Sequence, residues 1–225
     1  MIENLPNWLN ILFLIVTAFT LIIFYIANGK PKRLILILIG WTILHSLLSY
    51  NGFFLNTQTI PPRFTFVLLP PTILIIYGLN RKSRIWLYEN KNLEVSTLLH
   101  TIRIFIEIIL YYLFLNKMIP ELMTFEGRNF DIFAGITAFI IGMLFILGKI
   151  NDQILLFWNF IGLALILLIL TNGILSSELP FQLFAFEQPN RAITYFPYAL
   201  LPAVIVPIVI YSHISDILVL LHRRK

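Results

Sequence analysis

Stretches of 16 or more apolar residues with few or no charges recur along the whole chain, and they constrain it more than any other feature. Wound as a helix at 1.5 Å per residue, blocks of this kind suit a hydrocarbon core of about 30 Å. Strands of an outer-membrane barrel would read as alternating segments of about ten residues, which these uniformly apolar blocks do not resemble. Only 12% of the 225 residues are charged, against about 25% in a typical soluble domain. Lipid is therefore the expected solvent. Most connecting loops are too short to fold separately, so a single transmembrane domain covering residues 1–225 is the expected organisation.

The pattern predicts an all-α polytopic bundle with spans at about 8–28, 33–50, 63–80, 95–115, 130–148, 154–174 and 196–221. Seven spans put the termini on opposite faces. One face collects 11 basic residues: Lys30, Lys32, Arg33, Arg81, Lys82, Arg84, Lys91, Lys149, Arg223, Arg224 and Lys225. The other carries 4, Arg63, Lys117, Arg128 and Arg191, and Arg103 falls inside a span. Positive loops resist translocation, so the first face is expected to be cytoplasmic, with the N-terminus outside. No Lys or Arg precedes the first apolar block, which is thus expected to stay as a helix and not to be cleaved as a signal peptide. Residues 81–94 are basic but contain Ile85, Trp86, Leu87 and Tyr88, as befits either a segment at headgroup level or a plain loop.

An internal repeat is one reading of the order of short motifs. Gly29-Lys30, Asn51-Gly52 and Leu68-Leu69-Pro70 are matched in sequence by Gly148-Lys149, Asn172-Gly173 and Leu200-Leu201-Pro202. Spans 1–3 would then repeat as spans 5–7, a parallel 3+1+3 plan of the kind transporters use. The alternative is chance likeness between leucine-rich helices. Pro70 and Pro71 interrupt the third span, and Pro202 and Pro207 the seventh. Each proline removes a backbone donor and frees a carbonyl four residues back, which points either to a binding cavity or to packing kinks.

Candidate functional residues concentrate in two places. His100, Arg103, Glu107 and Tyr111, spaced by three or four, share one face of the fourth span. An Arg at mid-membrane costs about 3 kcal/mol on insertion scales, so Arg103 and Glu107 are expected to pair or to meet water. Glu107 is the candidate proton carrier and Arg103 its electrostatic partner. The alternative is a buried ion pair that only fixes packing. Outside, Arg63, Glu121, Glu126, Arg128, Asn129 and Asp131 crowd one mouth, and the loop 175–195 adds Gln182, Glu187, Gln188, Asn190 and Arg191. Phe181, Phe184 and Phe186 would let this loop lie over the bundle as a lid, or anchor it at the interface.

Other chemistries are thinly represented. The chain has no cysteine, which removes disulfides, thiol catalysis and thiolate metal sites. Its four histidines, His45, His100, His213 and His222, fall one to a segment, and no three are expected at one depth, so no metal and no cofactor are expected. Basic residues lie beside apolar blocks without an aromatic-interleaved stripe, so anionic lipid and not nucleic acid is the expected partner.

Pro61-Pro62-Arg63-Phe64, the His100, Arg103 and Glu107 face, Phe125-Glu126-Gly127-Arg128-Asn129-Phe130-Asp131, Trp158-Asn159 and Pro180-Phe181-Gln182 through Gln188-Pro189-Asn190 together resemble a family of bacterial seven-span membrane proteins. The resemblance implies a bacterial inner-membrane location but brings no activity with it. Three functions follow as expectations. The first is a transporter or proton-coupled carrier of a small polar solute. The second is a membrane-embedded enzyme acting on a lipid or isoprenoid, as small seven-span terpene cyclases do, with Glu107 or Asp131 as general acid. The third is a sensor or assembly subunit, expected if the polar groups are fully paired and no cavity reaches them.

Overall fold

The computed structural model describes residues 2–3, 5–57 and 59–224. Lys225, counted above among the basic residues of one face, lies outside the described residues. The regular structure is helical, and no strand occurs among the described residues. In chain order the helices are α1 (Asn7–Ala27), α2 (Lys32–Tyr50), α3 (Thr65–Gly78), α4 (Arg81–Asn90), α5 (Leu93–Leu99), α6 (Ile102–Leu115), α7 (Asp131–Ile146), α8 (Asp152–Leu175) and α9 (Val206–His222). A π-helical turn, Leu201–Ile205, leads directly into α9.

Five helical stretches are long and apolar enough to cross a membrane: α1, α2, α5 with α6, α8, and the π turn with α9. The helices α3 and α7 are apolar but shorter. The chain is a membrane protein, and its side chains are sorted accordingly. On α1, Leu9, Phe13, Val16, Thr20 and Phe24 are buried, while Ile11, Ile15, Phe19 and Ile22 face outward. Both stripes follow the helical period, and the outward one is as apolar as the inward one, which only lipid tolerates.

The paired helices α5 and α6 form the centre, between α1 on one side and α7 on the other, and α8 and α9 pack along each other beside them. Small residues let α7 come close. A Cβ at Gly135 would stand 2.9 Å from the Ile104 backbone nitrogen, and one at Gly142 would stand 2.8 Å from Leu98 Cδ2. Residues 81–94 contain α4, whose N-terminus is capped by Asn80 accepting from the Ser83 N–H at 3.1 Å.

Two interruptions are visible in the central helices. Between α5 and α6 the His100 and Thr101 N–H groups bond three residues back, to Thr97 and Leu98 carbonyls, at 3.2 and 3.1 Å. Thr97 and Thr101 also turn their hydroxyls onto the Leu93 and Leu98 carbonyls, a competition that bends helices. In the π turn, the Val206 N–H reaches five residues back to Leu201. Residues 196–199, expected within the last span, run as turns ahead of it.

The proline-freed carbonyls find donors on α2. Pro207 cannot donate to Ala203, and Trp41 Nε1 takes that carbonyl at 2.9 Å. Pro70 cannot donate to Phe66, and His45 Nε2 lies 3.3 Å from that oxygen. Trp41 and His45 sit one turn apart, so a single face of α2 serves both breaks. At these two carbonyls the side chains of α2 close the breaks that the prolines make.

The Gly135 contact generates a prediction. Gly135→Ala must displace the α6 backbone at a cost of about 1–3 kcal/mol, read as a lower melting temperature in detergent. Gly40→Ala, with nothing within 4 Å of its Cβ, should melt at the wild-type temperature or slightly above, because alanine favours a helix by up to about 1 kcal/mol.

Candidate functional site

A column of polar side chains runs through the centre of the bundle along α5 and α6. Lys91, Ser96, His100, Arg103 and Glu107 follow one another at intervals of three to five residues, a rise of roughly 24 Å from first to last. All are buried, Arg103 to 2% and Glu107 to 1% exposure. The partners come from three other helices and two connecting segments.

Arg103 does not pair with Glu107, as the sequence suggests. Its guanidinium forks onto Asp131, the first residue of α7, with Nε donating to Oδ2 at 2.8 Å and Nη2 donating to Oδ1. Geometry decides this: Gly135 lets α7 close on α6, which brings a carboxylate level with the guanidinium plane. The outer-mouth cluster is accordingly divided. Asn129 and Asp131 are buried, whereas Glu126 and Arg128 are exposed. Glu121 is likewise exposed. The Phe125–Asp131 string turns inward because Gly127 lies against the Glu121 carbonyl and the Leu122 Cα, where no Cβ fits.

Asn129 connects the carboxylates. Its Nδ2 donates to Glu107 Oε1 at 2.6 Å and to the Met123 carbonyl at 3.0 Å, and its Oδ1 accepts the Asp131 N–H at 3.0 Å. Glu107 Oε2 has no protein partner. On the other side of Arg103, its Nη1 lies 3.2 Å from His213 Nε2. Arginine only donates, so Nε2 carries the lone pair, and His213 Nδ1 donates to Asn159 Oδ1 at 2.9 Å. Gly162 makes room for this ring, which a Cβ there would strike. His100 stacks on His213 at 3.8 Å, and neither of its nitrogens has a protein partner. Two histidines therefore converge where the sequence suggests isolated ones, though no group of three possible metal ligands occurs among the described residues.

The other end of the column was not foreseen. Lys91, read in the sequence as one more loop cation, is buried with its Nζ 3.1 Å from Asp216 Oδ1, 2.8 Å from Ser215 Oγ and 3.1 Å from Asn28 Oδ1. Neither carboxylate oxygen of Asp216 receives a well-directed donor, and Ser96 Oγ and Ser212 Oγ are also unpartnered. Burial pushes the Lys91 ammonium below its ordinary pKa, and Asp216 pulls it back. One signal was available: Asp216 is the only acidic residue of the apolar stretch 196–221, and intramembrane acids rarely lack a role.

A cavity of about 60 Å³ adjoins the Glu107 end of the column. Its walls are mainly aliphatic, with Ile106, Leu110, Ile166, Ile169, Ile205 and Val209 among them, and Arg103, Glu107, Asp131 and Asn190 supply its polar groups. At about 10–15 Å³ per water, it has room for a few waters or a small organic group. Asn190 Oδ1, like Glu107 Oε2, is unpartnered. The loop that carries Asn190 roofs the cavity. It is held by Gln188 Nε2 donating to the Ile119 carbonyl at 2.6 Å and by Asn190 Nδ2 donating to the Gly173 carbonyl at 3.1 Å. Phe181, Phe184 and Phe186 are all exposed and so do not pin it to the bundle.

The remaining candidates lie apart. Arg63 stacks on Phe53, 4.8 Å from the ring centre, and donates to the Phe53 carbonyl; only its neighbour Phe64 reaches the cavity. Tyr111 is half-buried and stacks on Phe125. Arg191 pairs at the surface with Glu178.

The buried couple at the α4 end gives a prediction. Asp216→Asn leaves Lys91 as an uncompensated buried charge and should cost about 3–5 kcal/mol. Replacing both, as Lys91→Met with Asp216→Leu, should recover most of that loss. Melting temperatures of the two variants in one detergent check this.

No curated protein and no solved structure matches the chain. A family model described as a domain of unknown function (DUF8737) matches residues 63–221, well over half of the chain. The match spans α3 through α9, takes in the cavity and every column residue from Lys91 to Asp216, and leaves out α1, α2 and Asn28. The chain belongs to the DUF8737 family.

Proposed function

We propose that this protein crosses a bacterial inner membrane seven times, N-terminus outside and C-terminus in the cytoplasm, and works as a proton-coupled carrier of a small solute. The observation that carries the proposal is the cavity: an aliphatic hollow lined in part by Glu107 and Asn190, each with a buried side-chain oxygen that has no protein partner, beside two interrupted helices. Interrupted helices around a mid-membrane hollow are what carriers use to bind and release. In this reading α3 and α7 complete the seven spans, and the 11-to-4 split of basic residues orients them. The parallel 3+1+3 repeat draws support from Gly29 and Gly148, which end α1 and α7 in the same left-handed conformation at φ 75° and 66°. The correspondence is looser elsewhere, since Asn51-Gly52 follows α2 whereas Asn172-Gly173 lies inside α8.

The walls narrow the solute class. Asn190 Oδ1 accepts hydrogen bonds, as does Glu107 Oε2 once it has given up its proton, and the Arg103 charge is already matched by Asp131. A fitting solute brings N–H or O–H donors on a short aliphatic body, such as an amine or amino alcohol, which narrows the small polar solute expected from sequence. Glu107 Oε2 would exchange the coupled proton. Arg103 stands between this acid and the histidine pair, and its fixed charge would keep protons from leaking along the column.

A second reading, an enzyme acting on a lipid or isoprenoid, is favoured by the dryness of the same walls. Asp131 is occupied by Arg103, so Glu107 alone would serve as its acid. A sensor or assembly subunit, expected for fully paired groups without a cavity, has less support.

Uptake of radiolabelled short amino alcohols into proteoliposomes tests the carrier. The expected result is uptake faster than in protein-free liposomes and dependent on an imposed pH gradient, with Glu107→Gln losing the gradient dependence. Gradient-driven uptake that survives Glu107→Gln removes the proton role. Conversion of an added prenyl lipid by wild type but not by Glu107→Gln, followed by mass spectrometry, moves the assignment to the enzyme.

A further inference from the structure

A cleft of about 590 Å³ opens between α2, α3 and α4, well away from the polar column. Lys32 and Arg33 enter it from the first turn of α2, and Lys82 from the first turn of α4. No Asp or Glu lines it. Among the described residues, none of the three cations has a carboxylate within ion-pair distance. The rest of its wall includes apolar Leu34 and Ile37 and aromatic Tyr77, Trp86 and Tyr211. Trp86 is held at the rim by donating its Nε1–H to the Asn28 carbonyl at 3.1 Å.

The cleft does not end at its cations. A smaller slot of about 70 Å³ shares Leu34, Gly78 and Tyr211 with it and continues between Leu38, Trp41, Pro71 and Ile75, all apolar or aromatic. A charged mouth that passes into an apolar slot matches a molecule with an anionic head and a hydrocarbon tail. Soluble anions have no use for the slot, and a fatty tail alone has none for the cations.

We propose that this cleft is a specific site for one anionic phospholipid of the bilayer, its phosphate held by Lys32, Arg33 and Lys82 and the first few methylenes of one acyl chain seated in the slot toward Trp41. Three unpaired cations exceed the charge of a single phosphate, so a headgroup with a net negative charge fits and a zwitterionic one, which adds a cation, does not. The site also gives the bilayer a hold on α2, whose Trp41 and His45 close the carbonyls freed by proline. It is independent of the carrier proposal and needs only that the chain sits in a membrane.

Native mass spectrometry of the purified protein, titrated with phosphatidylglycerol or phosphatidylcholine, tests the assignment. Wild type should retain one phosphatidylglycerol under activation that strips phosphatidylcholine. Lys32→Gln/Arg33→Gln/Lys82→Gln should hold it about a hundredfold more weakly, in keeping with attraction summed over three surface cations. Lys117→Gln/Lys149→Gln/Arg224→Gln, the same charge change at exposed positions elsewhere, should retain it as wild type does. Should the triple variant fail to fold, Lys82→Glu serves instead, because an acidic residue suits the first turn of a helix; it too should lose the lipid. Equal retention of both lipids, retention by the cleft variants, or displacement of phosphatidylglycerol by inorganic phosphate would each overturn the proposal. The first two outcomes mean ordinary annular lipid, and the third a site for free anions.

Discussion

The guanidinium of Arg103 is the charge that the bundle cannot solvate with lipid, and the arrangement of the neighbouring helices follows from how it is neutralised. Asp131 must reach it from the first turn of α7, which requires that α7 approach α6 closely; Gly135 and Ala138 on the facing surface allow this. Asn129, two residues earlier, then falls beside Glu107 and is bonded to both carboxyl-bearing segments. On the other flank His213 can present its lone pair to Arg103 because Gly162 leaves space for the ring. Breaking the pair from either side would leave one charge unpaired in a medium of low dielectric, a costlier state than losing both.

A second constraint is backbone polarity. A membrane interior supplies no water to a carbonyl that a proline has freed, so the chain supplies a side chain. Trp41 and His45 do this from α2, a helix whose buried residues are His45 and Ser49 alone. The peripheral position of α2 and its role in closing the breaks are thus one fact. The π turn and the His100–Thr101 break are of another kind. They lie beside the column, and the groups around them include acceptors that the protein leaves without donors. Saturated polar networks hold a bundle rigid, whereas open ones are where ligands and protons exchange.

The helical periodicity of the sequence was enough to show how the chain meets lipid, and the observed helices fall within a few residues of the expected spans, apart from the late start of the last one. It also placed His100, Arg103 and Glu107 on one buried face, since spacings of three and four are preserved across the break. Pairing was not legible. Whether Arg103 meets Glu107 or Asp131 depends on the rotation of α7 about its own axis, which is set by glycine contacts between helices distant in sequence. Lys91 was hidden for a related reason: it follows a polar segment, and nothing local shows that the chain re-enters the bundle one residue too early for it to stay in water. Arg63 shows the converse error, a charged residue at a span end that finds a local aromatic ring and never approaches the site.

The account depends on Arg103, Asp131 and Glu107 bordering a hollow that small molecules enter, not a solid interior. The absence of native cysteine permits a direct measurement, the rate at which a small neutral thiosulfonate modifies single introduced thiols. Ile169, on the cavity wall, and Leu155, in the close-packed part of the same helix, are both buried, at 8% and 0% exposure. Ile169→Cys is predicted to react readily in the folded protein while Leu155→Cys stays inert. Equal inertness of the two would mean that the pair is sealed in packed side chains, and the protein would then be a scaffold.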